Sequence, residues 1–372
     1  MVAAADVMGL DLIVGAGDVN TVTSPASLQV ALSMAAEGAE GQTLTELEAL
    51  IGAAGPDRSD AINALTGTLQ ALDGDPGVVQ DEELPQTPVV HRADRLVLDD
   101  SLTVKQPFVD ALARSYDAPA ETTDLSSDVG GAVLDAWVEE HTGGLVPQSA
   151  IVPGPELRLV LQDAIVLAAR WESPFPAALT EPDRFTLPSG EVVSVDMMDP
   201  GREHDTVYAN VDGWQVVRLP YTGGRLHADV ILPPPGSTPT EMSSELLDKL
   251  QQSLDAGGTR PVILRMPVVD AKSKLDLEPY LIERAPASLV GGFGAITDEP
   301  VAIGQAVQQG VLAIDEEGTV AAAVTEIDFA ASGPAEPPIP FTVDRPYLVR
   351  IADGQTGWPL FLAHIADPRG EQ

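Results

Sequence analysis

The chain has 372 residues, 44% of them hydrophobic, enough for a large core, and it carries a net charge of −37 from 57 acidic and 20 basic residues. So acidic a surface repels nucleic acid and anionic membranes, which both need Lys and Arg to neutralise phosphate. The absence of cysteine removes disulfides, thiolate metal sites and Cys nucleophiles together. It leaves the compartment open, because a core of this size needs no covalent staples.

Lysine occurs only at positions 105, 249, 272 and 274. High acid with little Lys fits growth in high salt and a GC-rich genome equally. No run reaches the ~18–20 apolar residues of a membrane helix. Residues 1–17 lack the basic region and apolar run of a leader and read as a short helix. The localisation is open between cytoplasmic and secreted with a leader removed. No long linker or fixed-period repeat divides the chain, so residues 1–372 are expected to form one domain. Acidic, Pro-rich patches at residues 81–88 and 334–340 read as surface loops.

Ser24-Pro25 marks a helix start, Ser as N-cap and Pro at the first helical position. Leu28, Ala31, Leu32 and Ala35 follow at helical spacing and imply one buried face. Thr43 and Glu46 have the spacing of a capping box, and Gly52 closes that helix. Residues 96–104 read as a strand; residues 109–116 and 133–141 read as helices. Residues 158–169 are nearly continuous apolar sequence, as a central strand buried on both faces requires. Two hairpins are expected: one turning at Thr222-Gly223-Gly224, the other at Asp353-Gly354-Gln355-Thr356-Gly357. Helices early and strands late predict an α+β chain with large mixed sheets.

Enzyme chemistry finds no anchor. His91, His141, His204, His227 and His364 show no metal-ligand spacing, and no Gly-x-Ser-x-Gly elbow occurs. Gly292-Phe293-Gly294 lacks the third glycine of a dinucleotide fingerprint, and no phosphate loop is present. Acidic pairs are uninformative in so acidic a chain. The expectation is no enzyme, no metal and no cofactor.

One segment stands out. In steps of two, Thr319, Ala321, Ala323, Thr325, Ile327 and Phe329 are uncharged and begin with small side chains. The alternate set Val320, Ala322, Val324, Glu326 and Asp328 carries both charges. That is the pattern of a half-buried strand. Yet Asp315-Glu316-Glu317-Gly318 before it and the Pro-rich stretch after it read as exposed turn and loop. The segment suits two states, exposed loop and inserted strand.

Several motifs, in order along the chain, resemble those of the serpin family. They are Ser24-Pro25-Ala26-Ser27; Asp135-Ala136-Trp137-Val138 with Thr142-Gly143-Gly144; and Arg170-Trp171-Glu172-Ser173-Pro174-Phe175. Leu219-Pro220-Tyr221, Ile231-Leu232-Pro233 and Asp344-Arg345-Pro346-Tyr347 complete the set, with Pro359-Leu360-Phe361 to Pro368 at the end. The resemblance implies a large central mixed β-sheet, two further sheets, about eight or nine helices and an exposed reactive-centre loop at about 316–340. It implies a monomeric serine protease inhibitor that acts as a suicide substrate: the cleaved loop inserts into the central sheet and traps the acyl-enzyme. The alternative is a non-inhibitory binding or chaperone-like relative.

The residues carried over are a hinge at Glu316, Glu317, Gly318, Thr319, Val320, Ala321, Ala322 and Ala323. A shutter region is carried over at Ser24, Ser27, Asp135 and Gln308, and a breach tryptophan at Trp171. Gln308 can donate and accept and Asp135 accepts, so these two could bond in place of the family's Asn–His pair. Counting sixteen residues from Glu316 places the scissile bond at Ser332-Gly333, suited to elastase- or subtilisin-like proteases. Phe329-Ala330 is the alternative, suited to a chymotrypsin-like one. Thr319 is expected to be the first side chain to pass into the sheet from an exposed loop.

Overall fold

The computed structural model describes residues 1–81, 83–118, 120–319 and 337–370. Its helices are α1 (Val2–Ala16), α2 (Pro25–Gly38), α3 (Gly41–Ile51), α4 (Pro56–Leu69), α5 (Gln106–Tyr116), α6 (Asp128–His141), α7 (Ser244–Ala256) and α8 (Glu278–Arg284). The first half supplies β1 (Thr21–Thr23), β2 (Val89–Asp99), β3 (Ala120–Thr123) and β4 (Leu159–Arg170). Next come β5 (Glu181–Thr186), β6 (Val192–Met198), β7 (His204–Val211), β8 (Trp214–Pro220), β9 (Leu226–Leu232), β10 (Thr259–Pro267) and β11 (Val269–Asp276). The chain ends with β12 (Val307–Ile314), β13 (Gly318–Thr319), β14 (Ile339–Thr342), β15 (Tyr347–Asp353) and β16 (Pro359–Ile365).

One sheet has the order β11-β12-β13-β4-β2-β3, antiparallel except for the parallel β2/β3 pair. The other strands join through β10, which pairs β7 over Thr259–Val262, β14 over Val262–Arg265 and β6 over Met266–Pro267. One strand thereby serves two sheets. The main core lies between the six-stranded sheet, α2 and the β8–β9 and β15–β16 hairpins, with Trp171, Trp358, Tyr221 and Tyr347 fully buried.

The sequence accounts for most of these elements. Ser24 caps α2 by accepting from the Ser27 N–H. Gly52 ends α3 in the left-handed region at φ 78°. Both expected hairpins form.

Two local expectations fail. The Thr43 hydroxyl donates to the Gly291 carbonyl and the Glu46 carboxylate accepts from the Ala287 N–H, so no capping box closes. Tertiary partners outbid the local ones. The strand expected at residues 96–104 runs instead over Val89–Asp99, because β4 pairs with the polar stretch His91-Arg92-Ala93-Asp94-Arg95 along its whole length.

Candidate functional site

The distinctive feature of the fold is what separates β12 from β4. Among the described residues, only Gly318 and Thr319 pair between them, Thr319 with Ile314 on one side and with Ala169 on the other. Below that point, among the described residues, β12 and β4 share no ladder, and a cleft of about 250 Å³ lies between them. Its walls include Asp163 and Ile165 of β4 and Gln308 of β12, and α2 contributes Ser27, Leu28 and Ala31.

The top of the cleft is held by partners for the turn 315–317. Asp315 Oδ1 accepts from the N–H groups of Glu317 and Gly318, at 2.9 and 3.2 Å. That closes a side-chain turn that fixes the reversal. Burial raises the proton affinity of Asp315 above the usual carboxylate range, while those two N–H groups work against the rise. Glu316 Oε1 accepts from the Thr180 hydroxyl at 2.5 Å, and Glu317 pairs with Arg170 at 3.0 Å. Trp171 Nε1 donates to the Asp315 carbonyl, and the Trp171 N–H donates to that of Glu317. The Trp171 indole stacks on Tyr221 at 4.5 Å, and Tyr221 bonds the Thr319 hydroxyl at 2.6 Å. Burial pushes the Tyr221 phenol well up, so it stays a neutral hydroxyl.

Gly318 is required by contact, not by torsion. A Cβ there would sit 2.1 Å from the Ala169 carbonyl oxygen and 2.9 Å from Arg170 Cα, backbone atoms that cannot swing aside.

This corrects one expectation. Residues 315–319 are not an exposed turn: Glu317 and Thr319 are 3% and 2% exposed. The aromatic pair below and the Arg170, Thr180 and Trp171 donors draw the segment into the sheet and satisfy its polar groups there. Of the other carried-over residues, Val320, Ala321, Ala322, Ala323, Phe329, Ala330, Ser332 and Gly333 lie outside the described residues.

Ser24, Ser27 and Gln308 meet at the lower cleft. Gln308 Oε1 accepts from the Thr23 hydroxyl and the Ser24 N–H, and its Nε2 donates to the Ser24 carbonyl. Asp135 does not join them. Its carboxylate accepts from the Ser149 N–H at 2.8 Å, so the bond expected between Asp135 and Gln308 is not made. Each finds backbone partners closer at hand. The segment after α6 is fastened across to the β12 side by Gln305 to Val152 and Gln309 to Gln148.

Sequence reasoning missed Tyr221, Arg170 and Thr180 as partners of the segment. The first two stood inside quoted motifs, but no spacing rule ties residue 221 to residue 319. It also passed over Asp163, hidden in an apolar strand.

A parted six-stranded sheet, with a short strand seated at the top of the gap, defines an α+β architecture that can be compared as a whole. The protein-family model described as Serpin (serine protease inhibitor) matches residues 11–368. An uncharacterised serpin-like protein of Thermococcus kodakarensis is 28% identical over 94% of this chain and 81% of its own length. Serpin-ZXA of Oryza sativa subsp. japonica is 28% identical over 95% of this chain and 91% of its own. Among solved structures, human glycosylated kallistatin superposes with a TM-score of 0.82 at 20% identity, covering 100% of this chain and 98% of that one. Thyroxine-binding globulin in complex with thyroxine gives 0.79 at 23%, covering 99% and 98%. The chain belongs to the serpin family. Family and fold support a protease-inhibitor type of function in general, which is not that of a catalyst.

Proposed function

We propose that the chain is a suicide-substrate inhibitor of serine proteases. A protease attacks the loop at about 316–340 and forms an acyl-enzyme at Ser332. The loop then enters the cleft as a full strand between β12 and β4, carrying the protease with it. Such loop-to-strand switching is the device for which serpins are known.

The observation that carries this reading is the cleft itself, with Thr319 already paired to Ala169 at its top. Continued in that antiparallel register, positions 321, 323 and 325 come opposite Leu167, Ile165 and Asp163. Directly opposed residues share a face, so the small uncharged set falls on the core side, where Ala169 and Leu167 are buried. Glu326 and Asp328 fall on the other side. The gain is two rows of ladder hydrogen bonds and buried apolar area at ~25 cal/mol per Å². The intact form then persists for kinetic reasons. In this reading Glu316 to Ala323 act as hinge, Trp171 with Tyr221 as the floor of the entry point, and Ser24, Ser27 and Gln308 as the closure that must yield.

The experiment mixes the protein with elastase-, subtilisin- and chymotrypsin-like proteases and runs denaturing gels. The reading expects an adduct that survives denaturation with at least one of them. Clipped chain alone with all three supports a non-inhibitory binding protein instead.

A further inference from the structure

Asp94 on β2 and Asp163 on β4 are paired directly across the sheet, so their side chains leave it on the same face. Like charges in that position oppose pairing, and this pair is buried: the Asp94 side chain is 2% exposed. One Asp94 oxygen meets the Arg92 guanidinium. The other, and both oxygens of Asp163, are out of reach of solvent and meet no N–H or O–H donor of any other described residue. Three buried acceptors without a donor are costly unless a proton stands between them.

Among the described residues no second positive charge meets the pair. β12, across the cleft, has no charged residue from Val307 to Ile314, and the only one in α2 is Glu37. Glu37 is engaged with Arg58 of α4, Ser59 and Tyr116 of α5. On the opposite face of the sheet Arg95 is bound to Gln162 and Glu121. Arg114 and Asp117 share a separate recess with Arg92.

We propose that Asp94 keeps a proton at neutral pH and donates it to Asp163, and that this proton holds β4 to β2 in the wall of the cleft. Burial first, and then the charge of Asp163, raise the proton affinity of Asp94 well above the usual carboxylate range, and a hydrogen bond between the two carboxyls favours the protonated form. A group whose affinity is raised on folding stabilises the fold below its ordinary range and loses that contribution as pH rises through the raised value. The intact protein is therefore weakened by alkali at this point. β4 is the strand against which the loop pairs in the function proposed above, so that reading makes the same proton a control on how easily the sheet accepts a strand.

The test is made on intact protein, so it does not depend on insertion. Infrared spectra across about pH 4 to about pH 9 should show one carboxyl still protonated above the ordinary aspartate range, absent in Asp94→Asn and lost at lower pH in Asp163→Asn, where burial still acts on Asp94 but the charge of Asp163 no longer does. The melting temperature of wild type should fall, relative to Asp94→Asn, as pH rises. The Asn amide keeps an N–H aimed at Asp163 but cannot titrate. Absence of any such carboxyl in wild type, or the same pH slope in both proteins, overturns the proposal. Failure of cleavage to change stability would instead count against the insertion reading and leave the pair untouched.

Discussion

The hydroxyls of Tyr221 and Thr319, 98 residues apart in the chain, bond each other at 2.6 Å in a site closed to solvent. Each satisfies the other. Tyr221→Phe leaves the Thr319 hydroxyl buried without that partner, at a cost of about 1–3 kcal/mol. Urea unfolding of the intact protein should shift to a lower midpoint, by that free energy divided by the slope of stability against urea. An unchanged midpoint would mean that the pair does not hold β13 in the sheet.

Gly318→Ala tests the seat of β13 by sterics alone. The new Cβ meets the Ala169 carbonyl oxygen at 2.1 Å, so β13 must leave β4. Cleavage of the loop should remain efficient while the protein consumed per protease inactivated rises several-fold. A variant inhibiting one-to-one at the wild-type rate would show that this close approach is not used.

Thr319→Arg acts on the same position through charge. Thr319 is 2% exposed in the intact protein, so the guanidinium would be buried before any protease is met. Arg cannot shed its charge, and an unpaired buried charge costs several kcal/mol. The intact variant should melt lower than wild type and behave as a substrate. Full stability in the variant would mean that β13 is readily displaced into solvent.

The scissile bond is read by intact mass. Counting from Glu316 puts it at Ser332-Gly333, so the released C-terminal fragment should begin at Gly333. A fragment beginning at Ala330 would move the bond to Phe329-Ala330 and the target toward chymotrypsin-like proteases.

Much of this architecture was legible in the residues because local physics and the final fold agree. Ser24 before Pro25 caps α2, and Gly223 and Gly224 turn the β8–β9 hairpin. The apolar run ending at Ala169 is a strand interior to its sheet. What failed did so where distant partners decide. Thr43 and Glu46 had the right spacing for a capping box, but the backbone at Gly291 and Ala287 holds them. The stretch from His91 to Arg95 is too polar to read as strand, yet β4 pairs with all of it. The burial of Glu317 and Thr319 was unreadable because it rests on Arg170, Tyr221 and Trp171, whose approach to the segment only the fold creates.

The most direct test of loop insertion compares melting before and after a single clean cut in the loop. A cut normally loosens a protein. In the proposed function it frees the segment after Thr319 to fill the cleft between β12 and β4, which would add ladder hydrogen bonds on both sides and bury the alanine-rich face. The cleaved protein, its two fragments still associated, should melt far above the intact form and resist denaturant that unfolds it. A melting temperature equal to or below that of the intact protein would contradict insertion and leave the cleft without its proposed occupant.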